Sequence, residues 1–364
     1  MGHEIALISD IHFGCRGNSE KYISTMVTFF KVTLFETLKS RNINDLRILG
    51  DLFDNRNALN VRTINAVIDV FTFLESNLPN LKIKLLMGNH DQYYHNRYDI
   101  ISLNILRNFK NIEIIDKVTE DHINGKSILM VPWIVPETSI YEDYMNYVRN
   151  NVKFDLLLGH FEINGFEVSP GITDTHGIQL RMFKNFKRVL SGHYHLRNTM
   201  DQITYLGCPY QLTWGDYGNT KGIHIFDVDT EETTFIENTL SPRFIKVYMA
   251  DLAAGNKECI ANVSGNFVKL IIEKKYNETA IHKVIALLES RGAILTIDNQ
   301  YVEQTEISTE TNTTDLSKLH DPLSFLMEYV KVIDIPDDMK ELIDKKELMI
   351  RATEIYRKLL SDKD

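Results

Sequence analysis

The sequence predicts an α/β fold in which two β-sheets pack as a sandwich flanked by helices, with a small α+β cap and C-terminal helices. Three observations support this prediction. Short β-branched runs alternate with longer helical patterns in the first half of the chain, strands follow one another closely after residue 111, and the character of the sequence changes near residue 240. Strand–helix alternation favours a largely parallel sheet covered by helices, and the closely spaced strands indicate a second sheet packed on the first.

The first half supplies three buried strands and two amphipathic helices. Apolar runs predict strands at 4–10, 46–51 and 83–91, and helical spacing predicts helices at 20–40 and 62–77. The second sheet is assigned to the later runs at 112–115, 127–132, 155–160, 187–191, 203–207, 222–227 and 233–237. Residues 1–240 are therefore expected to form one domain.

Residues 241–300 are expected to form the cap, with strands at 267–276 and 293–299 around a helix at 279–291. Residues 301–318 include a polar, acidic run without apolar periodicity, which predicts a flexible linker. Residues 319–364 carry predicted helices at 322–332 and 337–361. The second has an apolar stripe formed by Leu342, Met349, Ala352, Tyr356 and Leu359. This stripe either docks on the chain's own domain or binds another protein, and the preceding linker favours the partner.

Composition excludes several classes of protein. The 364 residues include 43% hydrophobic and 25% charged residues, as in ordinary globular proteins, and no apolar run is long enough to cross a bilayer. The N-terminal run has no basic segment or cleavage site, so no signal peptide is expected. Three separated cysteines predict neither a disulfide framework nor a thiolate metal site, and they fit a reducing cytoplasm. The net charge of −10 argues against general electrostatic binding of nucleic acid.

Chemistry-bearing side chains follow five of the predicted strands, mostly after a glycine. The motifs DIH, GDLFD, GNHD, GH and GHYH end these apolar runs and supply Asp10, His12, Asp51, Asp54, Asn89, His90, Asp91, His160, His193 and His195. Sites in open α/β sheets collect at the carboxyl ends of the strands, and glycine permits close approach of the backbone to a ligand. Alone, an H-x-H pair is common on surfaces, so the prediction rests on five ordered motifs.

These ligand types predict a two-metal site. Imidazoles with carboxylate and amide oxygens, and without thiolate, suit manganese, iron or zinc better than magnesium or calcium. Seven candidates exceed the ligands of one ion, so two ions sharing Asp51 on a middle strand fit better. Asp10 and His12 with one of the 193/195 histidines would hold the first ion. Asn89 and His160 with the other histidine would hold the second. His90 is then free to protonate a leaving oxygen, with Asp54 accepting its other N–H.

The five motifs, in this order and spacing, resemble those of the calcineurin-like metallophosphoesterases. VPWIVPE, LLLGHFEINGF and YLGCPYQLTWGD resemble the SbcD type, the nuclease subunits of double-strand-break repair complexes. The whole length is most like the recombination nuclease subunits of T-even-type phages, with the specific match in the first 240 residues. The resemblance implies the metallophosphoesterase fold, and it implies Asp10, His12, Asp51, Asn89, His160, His193 and His195 as ligands and His90 as the catalytic histidine.

The resemblance also implies an activity and partners. It implies a manganese-dependent DNA nuclease of repair, recombination and replication, acting as a 3′→5′ exonuclease on duplex ends and an endonuclease on single strands. The expected cofactors are two Mn²⁺ ions, with Mg²⁺, Fe²⁺ or Zn²⁺ as alternatives. An SbcC-type coiled-coil ABC ATPase is expected to bind the C-terminal helices, the cap to contact DNA, and two copies to form a homodimer. The expected location is the cytoplasm, that of the host if the source is a phage. Some relatives have a histidine where this chain has Asp54, which leaves its role open.

Two other readings remain at this point. The same site would serve a dimetal phosphatase or cyclic-nucleotide phosphodiesterase, and a scaffold on an inactive fold would have lost ligands that this chain keeps. Four basic residues, Arg56, Arg62, Arg181 and Lys184, are candidates for DNA contact, although solvated faces explain each of them equally well. His95 and His176 lie in predicted loops that could approach the site.

Overall fold

The computed structural model describes residues 3–300, together with residues 345, 346, 349–351 and 353, which are helical. The predicted linker at 301–318 lies outside the described residues, as does most of the predicted C-terminal region at 319–364. The chain divides into two units, Met1–Tyr301 and Val302–Asp364. Among the described residues, no helix is long and apolar enough to span a membrane.

The first sheet has six strands, and strands are numbered in chain order. Its order is β14-β13-β1-β2-β3-β4, and β1 to β4 run parallel while β13 pairs antiparallel with β1 and β14. The strands are Glu4–Ile8 (β1), Asp45–Ile48 (β2), Lys82–Leu86 (β3), Ile112–Ile115 (β4), Gly222–Asp227 (β13) and Thr233–Glu237 (β14). The carboxyl ends of β1, β2 and β3 therefore meet at one edge of this sheet.

The second sheet also has six strands, in the order β11-β12-β10-β7-β6-β5. Strands β6, β7, β10 and β12 are parallel, and β5 and β11 close the two edges in antiparallel pairing. The strands are Thr119–Ile123 (β5), Lys126–Val131 (β6), Phe154–His160 (β7), Phe186–Gly192 (β10), Asn198–Met200 (β11) and Ile203–Tyr205 (β12). A small hairpin, Glu167–Ser169 (β8) and Ile172–Thr173 (β9), stands apart from both large sheets.

The helices cover the sheets. They are Cys15–Asn18 (α1, a single irregular turn), Glu20–Thr28 (α2), Phe35–Arg41 (α3), Val61–Asn77 (α4), Ser139–Arg149 (α5), Met249–Ala253 (α6) and Glu278–Ser290 (α7). A π-helical segment, Phe29–Leu34, joins α2 to α3 and buries Phe29, Phe30 and Leu34. Helix α4 begins where the Asn60 side chain accepts the Arg62 N–H at 2.9 Å, and it buries one apolar face from Val67 to Leu74.

Two hydrophobic cores confirm the predicted sandwich. One lies between the sheets and combines Leu7 and Leu86 from the first sheet with Met130, Leu158 and Leu190 from the second. The larger core lies between the outer faces of the sheets and the helices. Burial on both faces explains why the parallel strands read as nearly continuous apolar runs.

The assignment of strands to the sheets of this sandwich was wrong for the runs at 112–115, 222–227 and 233–237. These runs form β4, β13 and β14, which extend the first sheet outward from β3 and from β1.

A third sheet of three parallel strands occupies Phe244–Tyr248 (β15), Phe267–Ile272 (β16) and Ile294–Asn299 (β17). With α6 and α7 it encloses a separate core that includes Val247, Leu270 and Leu288. This small layered unit lies within residues expected to form the cap, and its Phe267 ring stacks on Tyr22 of α2 at 5.0 Å between ring centroids.

The strand ends differ from their predicted positions. Strands β1, β2 and β3 end at Ile8, Ile48 and Leu86, before the residues that were predicted to close them. The chain leaves β1 and β2 early because Asp10 and Asp51 have left-handed backbones, with φ angles of 56° and 54°, which no extended strand accommodates. The predicted ligands after these three strands therefore lie on turns that follow the strands.

Candidate metal centre

The seven predicted ligands come together at one edge of the sandwich. Turns after β1, β2 and β3 deliver residues from the first sheet, and the ends of β7 and β10 deliver residues from the second. All are buried or half-buried, and they are Asp10, His12, Asp51, Asn89, His160, His193 and His195. Because each follows a parallel strand, the topology places their side chains in a common space between the two sheets.

The backbone that holds these residues is strained. Asp10, His12, Asp51 and His193 have positive φ angles of 56°, 53°, 54° and 98°. Each such conformation in a non-glycine residue costs roughly 1–3 kcal/mol and persists only where surrounding contacts enforce it. Here the Asp10 N–H donates to the Gly50 carbonyl at 3.1 Å and the His12 N–H to the Asp51 carbonyl at 3.0 Å. These hydrogen bonds thus stabilise an unfavourable backbone conformation, and that conformation directs the side chains toward one another.

Two glycines permit this close packing. A Cβ on Gly50, whose φ is 92°, would lie 2.4 Å from His160 Nδ1, and a Cβ on Gly88 would lie 2.2 Å from Asp51 Oδ1. Both distances are far inside van der Waals contact. The glycines in GD and GN are therefore required by the approach of backbone to the candidate ligands.

The first group of ligands contains Asp10, His12 and His195, whose ligand atoms lie within 4.8 Å of one another. His12 Nε2 and His195 Nε2 are 3.0 Å apart. Two neutral imidazole nitrogens facing each other at this distance hold at most one proton between them. A cation between them satisfies both lone pairs.

The second group contains Asn89, His160 and His193. Asn89 Oδ1 lies 3.0 Å from His160 Nε2 and 3.0 Å from His193 Nδ1. His160 Nδ1 lies 2.6 Å from the Leu49 carbonyl oxygen and donates to it, so its Nε2 presents a lone pair in the neutral form. The group is thus rich in acceptors that point at a common centre.

Asp51 faces both groups through one oxygen. Its Oδ2 lies 3.7 Å from His12 Nε2 and 3.4 Å from His160 Nε2. Its other oxygen, Oδ1, accepts the backbone N–H of His90 at 2.8 Å. Asp10 completes the link, since its carboxylate accepts the His193 N–H at 3.0 Å. Asp51 therefore lies against both ligand groups.

Charge interactions divide the histidines into two kinds. Burial lowers the pKa of His193 to about 3, and the charge of the neighbouring His160 adds to this effect. Burial and the charge of His12 lower the pKa of His195 to about 3 as well. Burial also lowers the pKa of His160, but the charge of Asp51 outweighs it and raises this pKa to about 9. His193 and His195 are therefore neutral near pH 7. His160 carries a proton there unless another cation takes its place.

The two carboxylates respond in opposite directions. Burial raises the pKa of Asp51, but the charges of His160 and His12 outweigh it and hold the pKa well below its usual range. Burial raises the pKa of Asp10 above its usual range. Asp51 is thus an anion in a site that concentrates negative charge and lone pairs.

His90 lies beside these groups, with its ring centroid 4.9 Å from that of His12. Its Nδ1 is 2.6 Å from an oxygen of Asp54, but that oxygen is the backbone carbonyl and not the carboxylate. The Asp54 carboxylate instead lies 3.4 Å from His12 Nδ1. Burial raises the pKa of Asp54, but its interaction with His12 outweighs burial and lowers this pKa. Asp54 thus orients His90 through its backbone and places its carboxylate near His12, and the expectation that its carboxylate holds His90 is corrected.

The four predicted DNA-contact residues do not share one location. Arg56 and Arg181 line a cavity of about 670 Å³ that also includes Asn89 and His193. Arg62 lies outside that cavity and forms an exposed ion pair with Glu20 at 3.5 Å. Lys184 is exposed and also lies outside it.

Sequence reasoning named Asp91 without giving it a role and missed Lys221, and both residues support the centre. Asp91 is fully buried, and its carboxylate accepts the backbone N–H groups of Asp51 and Gly88 at 2.9 Å and of Phe53 at 3.2 Å. The fourth residue of GNHD was a visible signal for this role. Lys221 is also buried, donates to the His195 carbonyl and pairs with Asp216 at 2.6 Å. No local motif marks that lysine.

The donor set fits divalent metal ions. It combines four imidazoles, two carboxylates and one amide oxygen, which suits manganese, iron or zinc. Cys208 lies near His195 and Asp216, but burial raises the pKa of its thiol well above the ordinary value. A protonated thiol is a poor ligand. The pairs of facing acceptors are the observation that a bound cation explains.

The chain is similar to several known proteins. The model of the calcineurin-like phosphoesterase family matches residues 3–197. The chain is 25% identical over 357 residues to exonuclease subunit 1 of Enterobacteria phage T4, covering 96% of this chain and 100% of that protein. It is 24% identical over 358 residues to the DNA double-strand break repair protein Mre11 of Nanoarchaeum equitans, covering 90% and 91%. A solved dimetal phosphatase from Danio rerio aligns with a TM-score of 0.38 at 11% identity, covering 62% of this chain and 92% of that one.

Proposed function

The chain belongs to the calcineurin-like phosphoesterase family, as its motifs predicted, and we propose that it is a manganese-dependent DNA nuclease that hydrolyses phosphodiesters with two metal ions. The observation that carries the hydrolytic part is the pair of ligand groups that share Asp51 Oδ2. The relatives support the choice of a nuclease that acts on DNA. Exonuclease subunit 1 matches this chain over 96% of its length, and a DNA double-strand break repair protein matches it over 90%.

In this proposal Asp10, His12 and His195 hold one ion, and Asn89, His160 and His193 hold the other. Asp51 contributes to both. Bound ions at such a centre stabilise the charge that develops on a transferring phosphoryl group and supply an activated water nucleophile. Manganese is preferred to magnesium because imidazoles form most of the set.

The chain's own residues position the substrate and move the proton. His90 lies beside the first group without belonging to the proposed ligand set, and its Nδ1–H is engaged by the Asp54 carbonyl. The opposite nitrogen, Nε2, is therefore the atom that donates a proton to the departing sugar oxygen. Loss of that proton leaves a neutral imidazole whose orientation the Asp54 carbonyl still fixes. The products are a 3′-hydroxyl end and a 5′-phosphate nucleotide.

The same proposal includes partners. The net charge of −10 is unfavourable for a protein that binds DNA alone. We therefore propose that an SbcC-type ATPase, bound through residues 319–364, supplies much of the DNA contact, that residues 241–300 contact DNA, and that the chain forms a homodimer. The proposed reactions are 3′→5′ digestion of duplex ends and cleavage of single strands.

The test compares two substrates at equal enzyme concentration in Mn²⁺. End-labelled linear duplex DNA and p-nitrophenyl phosphate are incubated separately with the full chain, with and without the co-expressed ATPase. The proposal predicts shortening of the labelled strand with release of 5′-mononucleotides. Hydrolysis of p-nitrophenyl phosphate alone would favour a small-substrate phosphatase and contradict the proposal.

A further inference from the structure

A cavity of about 670 Å³ adjoins the metal centre. Asn89 and His193, two of the candidate ligands, form part of its lining. The cavity is therefore next to the place where a phosphate at the centre would bind. Its volume falls in the roughly 300–1,000 Å³ range of small-molecule sites. Nothing in the proposed hydrolysis uses this space.

One wall of the cavity is aromatic and apolar. Trp133 lies against the centre, with its ring centroid 4.9 Å from that of His193, and its backbone N–H donates to the Met87 carbonyl at 2.8 Å. The wall continues through Ile134, Pro136 and Tyr141. Because the Met87 bond fixes the backbone of Trp133, the half-buried ring is a pre-positioned flat surface.

The cavity lining also includes polar and charged residues. Arg56 and Arg181 contribute two cations, His95 and His176 contribute imidazoles, and Glu162 is the acidic residue among the described lining residues. Arg56 Nη1 is 2.6 Å from His95 Nδ1, so these two side chains form one hydrogen-bonded unit.

One buried polar atom in the lining has no protein partner. Gln92 is 1% exposed, and its Oε1 has no hydrogen bond among the described residues. A buried acceptor without a partner is unfavourable. Since an amide presents both an acceptor and donors, Gln92 can pair with the polar edge of a nucleobase.

We propose that this cavity binds the base and sugar of one unpaired nucleotide adjoining the phosphate that is cut, an inference that rests on the proposed function. The base stacks on Trp133 and its polar edge meets Gln92, while Arg56 and Arg181 contact the flanking phosphates. Aromatic stacking accepts every base and is typical of sites for single strands. A base-paired nucleotide does not fit, because its polar edge is already covered by its partner strand. Duplex ends must therefore fray before cleavage.

The experiment measures binding rather than cleavage. Thymidine 5′-monophosphate and deoxyribose 5-phosphate, which differ by the base, are titrated calorimetrically into the Mn²⁺-loaded full chain. The base should tighten binding by at least about fivefold, the lower end of the effect of a single aromatic stack. Equal affinity for the two ligands would overturn the proposal.

The sequence offers a matched pair of tryptophan variants, because it has two tryptophans. Trp133→Leu should remove the difference between the two ligands. Trp214→Phe should keep it, since Trp214 packs on Phe244 and does not line the cavity. A difference that survives Trp133→Leu would contradict the stacking role. If Trp133→Leu fails to fold, the Trp214→Phe protein provides a second measurement, because Trp133 is then its only tryptophan. The fluorescence of Trp133 should change when the nucleotide is added and should not change with the sugar phosphate. Absence of that change would also reject the site.

These outcomes separate the cavity from the proposed activity. Tighter binding of the nucleotide by a chain that leaves DNA intact would reject the nuclease and support the cavity. Cleavage of DNA by a chain with equal affinity for both ligands would reject the cavity alone. Lys153→Gln, an exposed change at the opposite end of β7, should alter neither affinity.

Discussion

Strand β2 carries one buried charge, and the turn after it carries another in different surroundings. In the strand, Arg47 forms what we call the Arg47 cluster with Asp45, Lys84 and Asp121. Arg47 is fully buried and contacts Asp45 at 3.1 Å and Asp121 at 2.8 Å, and Lys84 contacts Asp121 at 2.6 Å. Just past its end, Asp51 enters the metal centre. The first group pairs donors with acceptors, whereas the second turns acceptors toward one another.

This difference separates a structural group from a functional one. In the Arg47 cluster the guanidinium donates to two carboxylates, so the buried charge is compensated within the chain. In the metal centre, by contrast, His12 and His195 nitrogens face each other at 3.0 Å and four backbone angles are strained. Buried acceptors without donors are unfavourable unless a cation completes them. Loss of a residue should thus reduce stability in the first region and activity in the second.

The largest effect is expected from Asp51→Asn. The amide removes the negative charge that both ligand groups share, so we expect activity with Mn²⁺ to fall at least about 1,000-fold, which corresponds to about 4 kcal/mol in the barrier. Initial rates of DNA hydrolysis measure this. The control is Asp69→Asn, which removes an exposed carboxylate paired with Lys31 and should leave the rate unchanged. Substantial activity in Asp51→Asn would remove the distinction between the two regions.

His90→Asn should lower the DNA cleavage rate by about 100-fold while Mn²⁺ binding is retained, because proton donation contributes about that much. The loss should be far smaller with bis(p-nitrophenyl) phosphate, whose leaving group needs no proton. The matched control is His122→Asn, an exposed histidine on β5. Equal losses with both substrates would contradict the assignment of His90 as the acid.

Arg47→Met should lower stability and leave catalysis unchanged, unlike the two changes in the metal centre. Arg47 is the cation that Asp45 and Asp121 share, and its removal leaves Asp121 paired with Lys84 alone. We therefore expect the free energy of unfolding to fall by about 3 kcal/mol. The rate constant per folded molecule should not change, because the cluster does not reach the metal centre. Urea unfolding and active-site-normalised kinetics measure the two quantities. A loss of catalysis at full stability would show that the Arg47 cluster also positions the site.

The smallest effect concerns pH. Burial raises the pKa of Asp121, but the Lys84 hydrogen bond and the Arg47 charge outweigh it and lower the pKa below its ordinary value of 3.8. A depressed folded-state pKa contributes stability above the unfolded value and loses it as pH falls through the folded one. Asp121→Asn should therefore reduce stability at pH 6 by about 1 kcal/mol or less, after solvent screening. The difference from the original chain should shrink below about pH 4. Urea unfolding from pH 3 to 7 gives both curves, and a difference that grows in acid would contradict the pairing.

The sequence predicts the sandwich and the convergence of the motifs because apolar runs end in glycine and a chemistry-bearing residue. Strand ends were less predictable. The chain leaves β1 early because Asp10 has a left-handed backbone. That conformation is held by a hydrogen bond from the Asp10 N–H to the Gly50 carbonyl, which lies far away in sequence. Strand β5 was missed because it is a polar edge strand with alternating exposure. The role of its Asp121 could not be predicted, because the ion pair with Arg47 forms only in the folded chain.

Within the site, residue types were predictable and the atoms that act were not. The order of motifs indicates that Asp54 and His90 meet, but only the folded backbone makes the contact through the Asp54 carbonyl. The sequence likewise left open which of His193 and His195 belongs to which ligand group. It is now suggested by the contact of His195 with His12 and of His193 with Asn89. The cavity beside Trp133 joins loops remote in sequence, so no local pattern indicates it.

The most direct test of the central claim is the number and coupling of Mn²⁺ ions bound by the full chain. Calorimetric titration should give two ions per chain, and electron paramagnetic resonance should show an exchange-coupled pair that Asp51→Asn abolishes. One ion per chain, or two ions without magnetic coupling, would contradict a centre built around a shared carboxylate.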